Sequence, residues 1–181
     1  MLLVLGLFLS APPRAAVAAL QTDLTGPAGS GQFGATVLVL PNGNIVVTDP
    51  AFNGTTGAAY LYNGATGALI STLTGSAAGD WVGGGGVTVL SNGNYVVRSP
   101  NWDNGGIGDG GAVTWGDGAS GTNGPINGTN SVLGLAVNGG PQMNFSYDAF
   151  NWQLVVGRPA ENIVTLFRLT HSHVFMPVVR K

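Results

Sequence analysis

The chain contains no cysteine. Disulfides, thiolate metal sites and a cysteine nucleophile are thereby excluded, while the compartment stays open. Charge is scarce too. Only 8% of the 181 residues are Asp, Glu, Lys or Arg, with one Glu (Glu161) and one Lys (Lys181). Glu and Lys populate the solvent faces of helices, so amphipathic surface helices are not expected. The formal net charge of −2 lacks the dense basic footprint that nucleic acid requires. What replaces these residues is glycine, 31 in all, together with Asn, Thr and Ser. That composition predicts an all-β chain of many short strands joined by tight turns.

The first twenty residues, "MLLVLGLFLSAPPRAAVAAL", hold an apolar run from Leu2 to Leu9 and small residues around Ala16–Ala18. This is the pattern of a secretory signal peptide over residues 1–19, cleaved after Ala18 or Ala19. The run is about half of the ~20 residues that a membrane span needs, so the mature chain is expected to have no membrane span. An apolar first strand is the competing reading.

One phrase is written twice. Val37–Pro50 reads "VLVLPNGNIVVTDP" and Val87–Pro100 reads "VTVLSNGNYVVRSP". Valines at alternate positions suggest strands, and Asn-Gly suggests a two-residue type I′ turn between them. The return strands, Ile45-Val46-Val47 and Tyr95-Val96-Val97, are apolar on both faces and read as inner strands. Pro50 and Pro100 cannot donate to a ladder and close them. The copy extends further. "GAAYLYNGATGALISTLTG" (Gly57–Gly75) predicts strands at Ala58–Tyr62 and Ala68–Thr74, and "GAVTWGDGASG" (Gly111–Gly121) matches its first half. "NWQLVVGRP" (Asn151–Pro159) and "NIVTLF" (Asn162–Phe167) give a degenerate third copy. The period of about fifty residues and four strands points to blade-like repeats. The expected domain spans 20–169, with units at about 31–81, 82–134 and 135–169. "NSVLG" (Asn130–Gly134) would close the second unit. Residues 20–30 would form a closing strand, because Thr22–Gly34 resembles Ser71–Gly83. Residues 170–181 are a tail.

The order "FG…VLPNGNIVV…P…GAAYLYNGATG" resembles the FG-GAP repeats of integrin-type β-propellers. A closer likeness is to bacterial exported repeats carrying "SNGNYVVRSPNWDNGG" and "GAVTWGDGASG". The resemblance implies a β-propeller-like, extracytoplasmic, non-enzymatic surface protein. It does not bring calcium with it, since Asn42-Gly43-Asn44 and Asn92-Gly93-Asn94 lack carboxylates. About three units is fewer than a closed propeller uses, so the fold is expected to be incomplete or open. Its open blade edges would leave room for self-association.

Candidate chemistry is sparse. "GIGDGG" (Gly106–Gly111) meets a dinucleotide pattern only in form, because a strand comes after it where a helix is required. "NWDNGGIGD" (Asn101–Asp109) is the one dense stretch of oxygen ligands. Asn101, Asp103 and Asp109 could face a ligand or a cation; equally, they could bond their own backbone in a long turn. Trp102 is taken as the most exposed aromatic for sugar stacking. Trp81, Trp115, Trp152, Tyr60 and Tyr62 read as packing or as platforms. His171 and His173 have no third ligand beside them. No catalytic residue, metal or cofactor is assigned. The sequence is read as a non-enzymatic secreted or cell-surface module for adhesion or scaffolding, with an unknown extracellular ligand, glycan or protein. A secreted glycan-active hydrolase and a fragment of a longer repeat protein are the alternatives.

Overall fold

Leu40-Pro41-Asn42-Gly43-Asn44 closes the first hairpin, and its chemistry sets the register of the return strand. Gly43 N donates to Leu40 O (2.9 Å), and Leu40 N donates to Asn44 O (2.8 Å). Gly43 has φ +84°, whereas Asn42 keeps a negative φ. This is a three-residue loop, a type I turn ending in a left-handed glycine, and not the expected two-residue type I′ turn. Both copies share a local bond that fits this loop: Asn42 Oδ1 accepts Asn44 N and Asn92 Oδ1 accepts Asn94 N (both 3.1 Å). Pro41 stands at the first loop position, where no N–H is needed, and Ser91 takes the same place in the second copy. Leu90–Asn94 repeats the loop, bond for bond.

The computed structural model of the chain describes residues 21–168; the expected signal peptide, the expected tail from residue 170 and both histidines lie outside them. The protein is all-β, with three sheets and no closed barrel among the described residues. Sheet one runs β1 (Thr36–Val39), β2 (Ile45–Asp49), β3 (Ala58–Tyr62) and β4 (Leu69–Thr74). Sheet two is β5 (Val87–Val89), β6 (Tyr95–Ser99), β7 (Ala112–Gly116) and, later in the chain, β9 (Ser131–Leu133). Sheet three is β10 (Asn144–Asp148), β11 (Gln153–Arg158) and β12 (Ile163–Arg168). Neighbours within these units pair antiparallel. The short β8 (Gly124–Pro125) leaves its own unit and pairs parallel with β4. It blunts an edge that would otherwise be open, and it delivers Ile126 to the core.

Sheet two lies between the other two. Val46, Ala59, Leu61 and Leu73 of sheet one pack on Tyr95, Val97 and Ala112 of sheet two. From its opposite face, Val96, Val113, Trp115 and Val132 pack on Leu154 and Val156 of sheet three. Adjacent residues of an inner strand thus serve different cores, which explains the runs of Val without alternation.

The turns carry the repeat as clearly as the strands do. Asn63 Oδ1 accepts the N–H groups of Ala65 and Thr66 (both 3.0 Å). Asp117 Oδ1 accepts those of Ala119 (2.9 Å) and Ser120 (2.8 Å) at the matching position. The Asn-Gly-Asn loops also tie sheets together. Asn42 and Asn44 both donate to Gly118 O (2.7 and 2.9 Å), and Asn92 donates to the Tyr147 hydroxyl (2.9 Å). Gly118 must be glycine, since a Cβ there would strike the Gly93 carbonyl.

Residues 21–30 form no strand, which corrects the expected closing strand. The segment lies across the outer face of sheet one, where Leu24 and Phe33 cover Tyr60 and Tyr62. At its end, the N–H groups of Gly31 (3.2 Å) and Gln32 (2.7 Å) go to the Asp49 carboxylate, not to a strand ladder.

Candidate functional site

The Asn101–Gly110 loop holds the four residues singled out as ligand contacts. It turns on itself. Asn104 and Ile107 exchange backbone bonds (3.0 and 3.2 Å). Asp103 Oδ1 accepts Asp109 N (2.8 Å), and Asn101 Nδ2 donates to Asp109 Oδ1 (3.1 Å). Asp103 N donates to Asp80 Oδ1 (3.2 Å), so the loop is pinned to the end of sheet one. Asp80 is fully buried and also accepts the N–H groups of Ser76 (2.6 Å) and Ala77 (2.9 Å). No group of three or more His, Asp or Glu able to hold a metal is present among the described residues.

Trp102 is not exposed. It is 5% accessible and belongs to the core between sheets one and two. Its backbone explains the inward turn. Trp102 N donates to Ser99 O (3.2 Å), and Trp102 O accepts Gly111 N (2.9 Å), so the residue continues the strand ends and does not cap a free loop. Its indole N–H has no hydrogen-bond partner. Tyr60, Tyr62 and Trp115 are core residues as well. Of the aromatics weighed as platforms, Trp81 and Trp152 reach the surface.

The β10–β11 turn is different. It stands where sheets one and two carry Asn-Gly-Asn, but it reads Ala149-Phe150-Asn151-Trp152-Gln153. Phe150 is 90% exposed and Trp152 53%. Trp152 occupies the place of Gly43 and Gly93 and takes their left-handed conformation, with φ +54°. For a bulky L-residue that conformation costs about 1–2 kcal/mol. The tip is nevertheless ordered by Asp148. Its Oδ1 accepts the N–H groups of Phe150 (3.0 Å) and Asn151 (3.1 Å), and its Oδ2 accepts the side chains of Asn151 (2.7 Å) and Gln153 (3.0 Å). These bonds, those of Asn151 first and that of Gln153 next, hold the carboxyl down at about 2.

A groove of about 560 Å³ begins beside the tip at Tyr147 and runs between β5 and β10. Val89, Ser91, Arg98 and Ser146 are among its lining residues. Arg98 donates from Nη2 to Met143 O (2.8 Å). The Tyr147 ring leans on Trp115 with centroids 5.8 Å apart, so the groove wall is continuous with the core between sheets two and three. The site is therefore an aromatic tip with amide and carboxylate neighbours, next to a shallow polar trough. Phe150 is not singled out by the sequence. The readable signal is the loss of Asn-Gly-Asn in the third copy.

A family described as a repeat of unknown function (DUF5650) matches residues 89–140. The match covers most of sheet two and the linker to sheet three, which fits an uncharacterised repeat. No curated protein matches the chain. Among the described residues, no helix is long and apolar enough to cross a membrane.

Proposed function

We propose that the chain is a non-enzymatic binding module of a secreted or cell-surface repeat protein, FG-GAP-like and propeller-like in ancestry, and that it contacts a glycan through the β10–β11 tip. The observation that carries the reading is Trp152. The same loop position is glycine in the other two units, yet here a tryptophan takes the left-handed conformation with its side chain half exposed instead of buried in a core. Strain held at an exposed site favours a functional role. An indole and a phenyl ring beside Asp148, Asn151 and Gln153 suit a sugar, whose C–H face stacks on aromatics while its hydroxyls bond amides and carboxylates.

The use made of the acids supports a non-catalytic reading. Asp49, Asp80 and Asp103 hold loop amides, whereas a glycosidase needs two carboxyl groups facing one bond. The secreted address rests on the Leu2–Ala19 pattern alone. The test is a glycan array probed with the full chain. We expect binding that Trp152→Ala and Phe150→Ala abolish and Trp102→Phe preserves. A chain that binds no glycan, or binds equally well without either aromatic, removes the proposal.

A further inference from the structure

The repeat register states which face of each sheet meets the next. In sheet one the cross-strand pair Val46 and Leu61 faces sheet two; in sheet two the equivalent pair, Val96 and Trp115, faces sheet three. All four side chains are buried. The third member of the series is the pair Val155 and Leu166. Val164 lies on the same face, two residues before Leu166. The chemistry is that of the two covered faces, yet Leu166 is 56% exposed and Val164 65%.

The opposite end of the stack shows the complement. In sheet two, Val87 and Val89 of the first strand pack against the core made with sheet one. Their equivalents in sheet one are Val37 and Val39, which pair with Val47 and Ile45 and so share the outer face. Leu24, Phe33 and Phe52 pack on that face with Val47, Ala58, Tyr60 and Tyr62, and the cover stops short of the first strand. Val37 and Val39 are left 56% and 67% exposed.

We propose that the Val155, Val164 and Leu166 face of sheet three docks on the Val37 and Val39 face of a second copy of this chain, so that copies join head to tail. The contact repeats the first-strand part of the interface between sheets one and two, where the equivalents of both partners meet in one core, beside the part of the face that Leu24, Phe33 and Phe52 already cover. Burying these valines and the leucine removes apolar surface from water on both sides. A heterologous contact of this kind gives rings if the rotation closes and filaments if it does not. Assembly would also array the β10–β11 tips and raise their avidity. The inference is independent of what the tip binds.

Sedimentation of the full chain over a concentration series tests it, with two double variants. Val37→Lys/Val39→Lys blocks one end, and Val164→Lys/Leu166→Lys blocks the other. All four positions are exposed in the single chain, so both variants should keep the circular dichroism and Tm of the unaltered protein. The unaltered chain should form species beyond the dimer, or one closed ring. Each variant alone should stay monomeric over the same range, and an equal mixture of the two should give a heterodimer and nothing larger. Three results overturn the proposal. One is an unaltered chain that is monomeric throughout, including the case in which ending it at Arg168 releases association. Another is a Val37→Lys/Val39→Lys variant that dimerises by itself, which would make the contact tail to tail. The last is a mixture that shows no heterodimer.

Discussion

The Asn101–Gly110 loop and the β10–β11 tip are the two places where the repeat copies differ most, and they differ in opposite ways. The loop is an insertion after β6 whose polar side chains bond one another and whose tryptophan is drawn into a core. The tip is a replacement of the same length class, whose tryptophan is pushed outward into a conformation that suits glycine. Both are rich in Asn, Asp and Trp, so composition alone gives them the same reading. What separates them is where the backbone leads. Trp102 comes just past the end of an inner strand and inherits its burial. Trp152 sits at a hairpin apex and stays half exposed.

The comparison breaks first at Trp102. Trp102→Ala should destabilise the protein by about 3–5 kcal/mol, the usual loss for a buried aromatic, read from urea unfolding. Trp102→Phe should cost far less, because the indole N–H has no partner to lose. An alanine variant as stable as the parent would return Trp102 to the surface and the loop to the candidate ligand sites. Next is Asp80, which anchors the loop from below. Asp80→Ala strands the N–H groups of Ser76, Ala77 and Asp103. It should cost about 3 kcal/mol, at about 1 kcal/mol for each part-buried donor left unpaired. Asp80→Asn keeps an acceptor in place and should recover part of that loss. Equal losses in the two variants would mean that the charge, and not the amide network, holds the loop.

The strands are legible in the sequence because each rests on a short-range signal. Ala58–Tyr62 and the strand within Asn130–Gly134 fall where period, Gly and Asn place them. The first hairpin is legible in position but not in type, since Asn-Gly suggests a two-residue turn, whereas in both copies the first Asn side chain bonds the second Asn N–H across a three-residue loop. The segment before β1 misleads for a related reason. Its likeness to the last strand of unit one is real, as Leu24 and Phe33 cover sheet one much as Leu73 and Val82 serve the next core. Similar side chains do not force a strand when the segment packs on the outer face of sheet one and not beside an edge strand of sheet three. Burial of Trp102 is not legible at all, because loop residues are assigned to a core only by the sheets that converge on them. The excursion of β8 to sheet one is a tertiary event of the same kind.

Trp152→Gly reverses the sign. It relieves the left-handed strain and gives back some conformational entropy to the unfolded chain. The balance should stabilise the protein by about 0.5 kcal/mol while abolishing glycan binding. Such a split between stability and binding is what separates a site residue from a core residue, and Trp102 should show the reverse. A loss of more than about 1 kcal/mol in Trp152→Gly would mark the indole as a packing group.

The smallest effect belongs to Asp148, which gives the tip its shape. Its carboxyl is held down at about 2 by the Asn151 and Gln153 bonds. An ordinary Asp titrates near ~3.9 in the unfolded chain. The unfolded state therefore binds the proton first as the pH falls. The stabilisation from Asp148 is complete above the unfolded value, and it is lost as the pH drops from there through about 2. An NMR titration of the Asp148 side-chain carboxyl should show its midpoint near the lower figure. Asn151→Ala removes the leading donor and should move that midpoint upward toward the ordinary value. Because the bonds that hold the charge also order Phe150, the same variant should weaken glycan binding at neutral pH with little change in Tm. A midpoint that Asn151→Ala leaves in place would show that the tip is ordered by something other than this carboxylate.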